Sequence, residues 1–243
     1  MTRSLLDAFW RAVAYCLHPK VILLSLAPLL LVGGAVALLA ATVVPRAPLR
    51  RPRIQAGAVV DRIGRLLRAA ATAIDDHDMD EAVELLRSAR ATDEMMSDLR
   101  AAASEGLSVL ASSPLHPRHR EPVRQMAELV EPLDFALRNT RVLARRVAVA
   151  AYKHEPIPPE YASLLRELAD CTDIVARELR AGRLAEAARE PLIAAGLRTV
   201  SIGRAHELSA EVVLAQVRSL VADLLSITGM DPLEATDQIP RLP

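Results

Sequence analysis

Residues 209–229 read SAEVVLAQVRSLVADLLSITG. Val213, Val217, Leu220, Leu224 and Ile227 recur at steps of 4-3-4-3, the spacing that puts side chains on one face of a helix. Ser209 is placed to cap that helix and Gly229 to stop it. The same rhythm returns upstream. Val59, Ile63, Leu66, Ala70 and Ile74 form one stripe, and Tyr161, Leu164, Leu168, Thr172, Val175 and Leu179 form another, closed by Gly182. No stretch after Arg53 alternates as a strand would. Alternating steps of 3 and 4 favour antiparallel packing at shallow angles. The fold class expected is all-α, a multi-helix bundle over residues 54–243.

Between these stripes the expected helices run from Asp80 through Val83, Leu86, Met96, Leu99 and Leu107 to Ala111, then from Arg118 to Lys153 with a kink at Pro132. A further helix covers roughly Ala185–His206, weakened at Pro191, Gly196 and Gly203, and a short helix and tail follow from Asp231. Asp75-Asp76-His77-Asp78 reads as a turn and N-cap rather than a metal site, because no full ligand set follows it. Pro156-Ile-Pro-Pro159 is a hard break with a proline placed to start the next helix.

The first 53 residues differ. They carry seven basic groups and one acid, a charge of +6, whereas the remainder carries −6, so the chain of 243 residues is neutral. Val21 to Val44 is 24 residues without a charge. As a helix it would be about 36 Å long at ~1.5 Å per residue, and a bilayer core needs about 20 such residues. A transmembrane helix over 20–44 is therefore expected, interrupted by Pro28 and Gly33–Gly34. Before it, residues 1–19 suit an interfacial amphipathic helix, with Leu5, Leu6, Phe9, Trp10, Val13 and Leu17 on one face. After it, residues 45–53 form a basic Pro/Arg linker whose Arg46, Arg50, Arg51 and Arg53 suit anionic lipid headgroups. The excess of arginine beyond the span places the C-terminal body in the cytoplasm, at the inner membrane. A reduced compartment agrees with Cys16 and Cys171 being far apart and unpaired.

No motif of a hydrolase, zinc protease, P-loop or dinucleotide site occurs. No enzyme, cofactor or metal is expected. The six histidines fall mostly at helix ends. One constellation stands out in PLDFALRNTRVLARR, residues 132–146. Arg138, Arg141 and Arg145 share a helix face, Asn139 is the single asparagine of the chain, and Arg146 follows. Asp134 is placed to pair with Arg138. The group reads as ion pairing with neighbouring helices or as an anion or partner contact. Nucleic acid is not expected, since no aromatic platform accompanies these arginines.

PRAPLRRPR at 45–53, SSPLHPRHR at 112–120, EPLDFALRNTRVLARR at 131–146 and VVLAQVRSLVADLLSITGMDPLEA at 212–235 resemble the cytoplasmic region of actinobacterial fusaric-acid-resistance (FUSC) proteins, the aromatic acid exporter family. The resemblance implies an inner-membrane efflux protein, driven by the proton gradient, with a helical cytoplasmic domain. That family has about six membrane helices before this region, where this chain has one expected span. The implied object is a truncated or fused subunit working with other membrane subunits or as a homo-oligomer among membrane lipids. Residues 4–31 resemble instead the start of CysZ-like, sulfate permease-like inner-membrane proteins, whose N-terminus is cytoplasmic. One span cannot place both ends in the cytoplasm, so either the segment re-enters or two sequences join near residues 33–45. A membrane-anchored scaffold that binds partner chains without transporting is the alternative function.

Overall fold

The structure, a computed structural model, describes residues 33–34, 50–112, 120–202 and 205–242, without the side chains of 109–112 and 120. The chain divides into two units, Met1–Ala47 and Pro48–Pro243. The expected amphipathic helix and span (Val21 to Val44) lie outside the described residues, apart from Gly33 and Gly34, which are helical and exposed. Among the described residues no helix is long and apolar enough to cross a membrane.

The second unit is all-α, with no strand among its described residues. Its helices are α1 (Arg50–Asp76), α2 (Met79–Arg90), α3 (Asp93–Ser112), α4 (Arg120–Glu128), α5 (Val130–Lys153), α6 (Pro159–Ala181), α7 (Arg189–Ser201), α8 (Leu208–Ile227) and α9 (Pro232–Asp237), with a 3-10 turn at Glu186–Ala188. The three stripes read from sequence on α1, α6 and α8 are all buried. α1 lies antiparallel to α6, as Arg180 pairs with Asp61 near one end and Arg166 with Asp75 near the other. α5 lies antiparallel to α8, linked by Asn139–Asp223 and by Glu155–Ser209.

Two glycines let α1 and α6 meet closely. A Cβ on Gly57 would sit 2.7 Å from the Arg180 Cγ, and one on Gly64 would come nearer than 3.0 Å to the Thr172 hydroxyl. α6 stops where sequence predicts, at Gly182 in the left-handed conformation (φ 74°), its N–H bonded to Leu179 O. A side chain there would be strained and would strike the Arg53 guanidinium.

Several boundaries depart from expectation. The long helix expected over Asp80–Ala111 breaks at Ala91–Thr92. Thr92 is buried and donates to Ala89 O (2.7 Å), and Asp93 and Glu94 open α3, where acids favour the helix start. Val83 and Leu107, expected in the core, are exposed. The helix expected over Arg118–Lys153 breaks at Leu129, three residues before the expected kink. Pro132 thus falls in the first turn of α5, where its missing N–H has no carbonyl to serve. Ala185–His206 begins as a 3-10 turn and is helical only over Arg189–Ser201. Ser209 is not a cap. It lies inside α8 and donates to Glu155 Oε2 at 2.5 Å, while Glu207 holds the N-cap position. Asp78 does cap α2, accepting from Asp80 N at 2.7 Å.

Candidate functional site

The arginine constellation lies on α5 and separates into different roles. Asp134, almost wholly buried, accepts from Arg138 (2.6 Å) and from Arg100 of α3 (2.8 Å). The Arg138 pairing is the one the i+4 spacing suggests. Arg141 turns the same way and pairs with Asp93. Arg145 is exposed, and Arg146 is half-buried. The Ser209 hydrogen bond, helped by the positive charges of Lys153 and Arg146, holds the Glu155 carboxyl below the usual range. Asn139 points the other way, toward α8, and donates to Asp223 Oδ2 at 2.6 Å. The five residues are neighbours on one helix without forming one pocket.

Asn139 and Asp223 instead open a different site. A cavity of about 740 Å³ lies over them, lined among others by Phe135, Arg138, Arg218, Asp237 and Arg241. A second cavity of about 500 Å³ adjoins it through the shared residues Phe135, Ala222, Asp223 and Thr236. The second is lined by Glu121, Glu128 and Glu131 and by apolar Leu129, Leu184 and Met230. Together they form a groove along α5, α8 and α9, with arginines toward one end and carboxylates toward the other. Phe135 lines both halves and is 44% exposed.

Asp223 is the titratable hinge of this groove. Burial pushes its carboxyl up to about 6, and the hydrogen bond from Asn139 offsets only part of that. Arg218 is half-buried and donates to Thr199 Oγ1 (2.5 Å) and to Pro240 O, tying α7 and the C-terminal tail to α8. Burial lowers its pKa, and no carboxylate pairs with it among the described residues. Sequence reasoning missed Asp223, Arg218 and Arg241. Asp223 had a signal: it is the only acid between Val212 and Met230, in a helix otherwise rich in Val, Leu and Ala.

The other expected residues sit elsewhere. Arg50, Arg51 and Arg53 form the first turn of α1, and Arg51 is 3.5 Å from Glu105. Arg46 lies outside the described residues. Cys171 is buried on α6, and burial pushes its thiol up to about 11, so it is inert rather than nucleophilic. His77, His154 and His206 gather at one end of the bundle around a cavity pair, yet no cluster able to hold a metal occurs among the described residues.

Compared with known proteins, the chain aligns over 212 residues, at 31% identity, with an uncharacterized protein of Corynebacterium glutamicum, covering 82% of this chain and 53% of the relative. The chain thus spans about half the length of the curated relative it matches. No family model matches it, and no solved structure matches it.

Proposed function

We propose that the chain is the membrane-anchored helical part of an efflux protein resembling the aromatic acid exporters, with residues 48–243 on the cytoplasmic side of the inner membrane. The observation that carries this reading is the groove, where Phe135 stands beside Arg138, Arg218 and Arg241. An aromatic carboxylate needs an apolar face for its ring and a cation for its charge. Two facts lend support: the charge-free segment Val21 to Val44, and a relative nearly twice the matched length. Asp223 adds pH dependence, because an anion enters the groove more easily once this carboxyl is protonated.

The test is titration of the full chain with benzoate in neutral-lipid nanodiscs, at pH 5.5 and 7.5. Saturable binding, tighter at pH 5.5 and at least ten-fold weaker in Phe135→Ala and Arg241→Ala, is expected. Equal binding by all three chains overturns the reading. In cells, the chain should raise tolerance to aromatic acids. Unchanged tolerance with a stable partner chain would favour the anchored scaffold, which the exposed apolar face of α5 also suits.

A further inference from the structure

The groove changes sign along its length, and a simple aromatic acid would use only half of it. On α5, Glu131, Phe135 and Arg138 follow at steps of 4 and 3 and line it in that order. At ~1.5 Å per residue, Glu131 and Arg138 stand about 10 Å apart along the helix. On the antiparallel α8, Ser226, Ala222 and Ser219 run beside them. Side chains this small make a floor and leave the space above it open.

Several charges here are already paired. Asp134 holds Arg138, and Arg124 holds Glu121 and Glu128. The groups left over are sorted by sign. Arg218 bonds Thr199 and a carbonyl but no carboxylate. Arg241, exposed at the same end, has no ion pair among the described residues. Against these two arginines stands Asp237 alone. In the other half, which no basic residue lines, Glu131 is exposed and has no ion pair among the described residues. Asp223 faces both halves and has Asn139, not a cation, as its polar partner.

We infer that the groove selects an aromatic acid that carries an ammonium group para to its carboxylate. The carboxylate meets Arg218 and Arg241, the ring lies on Phe135, and the ammonium reaches Glu131 and Asp223. The inference rests on the efflux reading and names the substrate class of that same site. Cavities of about 500 and 740 Å³ have the size of small-molecule sites. A ring holds para groups at opposite ends, as the groove holds its charges. Charge-assisted hydrogen bonds form at both ends, and the face of Phe135 attracts the ammonium as well. A simple aromatic acid leaves Glu131 and Asp223 without a cation. A 1,4-dicarboxylate sets its second charge against theirs.

The test is isothermal titration calorimetry of the full chain in neutral-lipid nanodiscs at pH 7.5, with benzoate, 4-methylbenzoate, 4-(aminomethyl)benzoate and terephthalate. The aminomethyl compound should bind at least five-fold tighter than 4-methylbenzoate, which has a similar shape without the charge. Glu131→Gln should reduce that preference to within two-fold. Glu131→Lys should turn it to terephthalate. Benzoate binding without a preference for the ammonium overturns this inference and leaves the efflux reading standing. A preference that survives Glu131→Gln, or that Glu131→Lys does not turn, overturns it too. Binding of none of the four compounds overturns both.

Discussion

Two antiparallel helix pairs organise the bundle, and they are built differently. α1 and α6 meet through Gly57 and Gly64 and are laced by Asp61–Arg180, Arg68–Asp170, Arg68–Asp173 and Asp75–Arg166. α5 and α8 share an apolar core too, yet their upper contact is a single asparagine–aspartate hydrogen bond beside an open groove. A close-packed seam has no space for a ligand, and every added atom is felt. A pair flanked by an open groove leaves room for binding.

The largest break in this contrast should come from Gly64→Val. The new atoms would collide with Thr172, and overpacking of this kind costs about 3 kcal/mol. Ser219→Ala, on the open pair, should stay within about 0.5 kcal/mol. Urea titration of both variants checks the difference, and equal losses would abolish it.

Asp223→Asn comes next. The folded carboxyl is raised to about 6, above its unfolded value near 4. The fold therefore favours the protonated form, and the associated stability is complete below pH ~4 and lost as pH rises through 6. Asparagine removes that loss, so the variant should be more stable at pH 7 by about 2 kcal/mol and should match the parent near pH 4. Denaturation midpoints across pH 4–7 test the sign.

Arg68→Ala should have the smallest effect. Its guanidinium bonds Asp173 and Asp170, which raise its pKa, but both carboxylates are exposed and Arg68 itself is partly so. Such pairs are worth less than about 1 kcal/mol, so the melting temperature should move by only a few degrees. The tightness of the α1–α6 pair would then be traced to its glycines rather than its charges. Cys171 gives a probe without energetic cost: iodoacetamide should label it in urea and spare it in the native state, and rapid native labelling would contradict its burial.

The close pair was also the legible one. Its stripes contain Leu, Val and Ile at helical spacing, and each element ends at a turn signal, Asp75–Asp78 or Gly182. Breaks at Thr92 and Leu129 escaped notice because helical periodicity continues across them and neither carries a glycine or a preceding proline. Val83 and Leu107 show that periodicity alone does not say which apolar residues find a partner. The groove was only half visible. Asn139 drew attention as the one asparagine, but its partner lies 84 positions away, and no local pattern encodes that distance. Arg138, Arg141 and Arg145 shared a face as read, yet Asp93 and Asp134 decide which of them remain open to a partner.

The distance between α1 and its partner also matters while the protein is being made. The ion pairs joining them span 91 to 119 positions. At roughly 5–20 residues per second, α1 leaves the ribosome many seconds before α6 exists. Its apolar stripe, from Val59 to Ile74, must wait for its main partner through the synthesis of the four intervening helices, α2 to α5. The nascent chain therefore passes through a prolonged stage in which its most tightly packed helix is its most vulnerable one, and a holding chaperone would act there first.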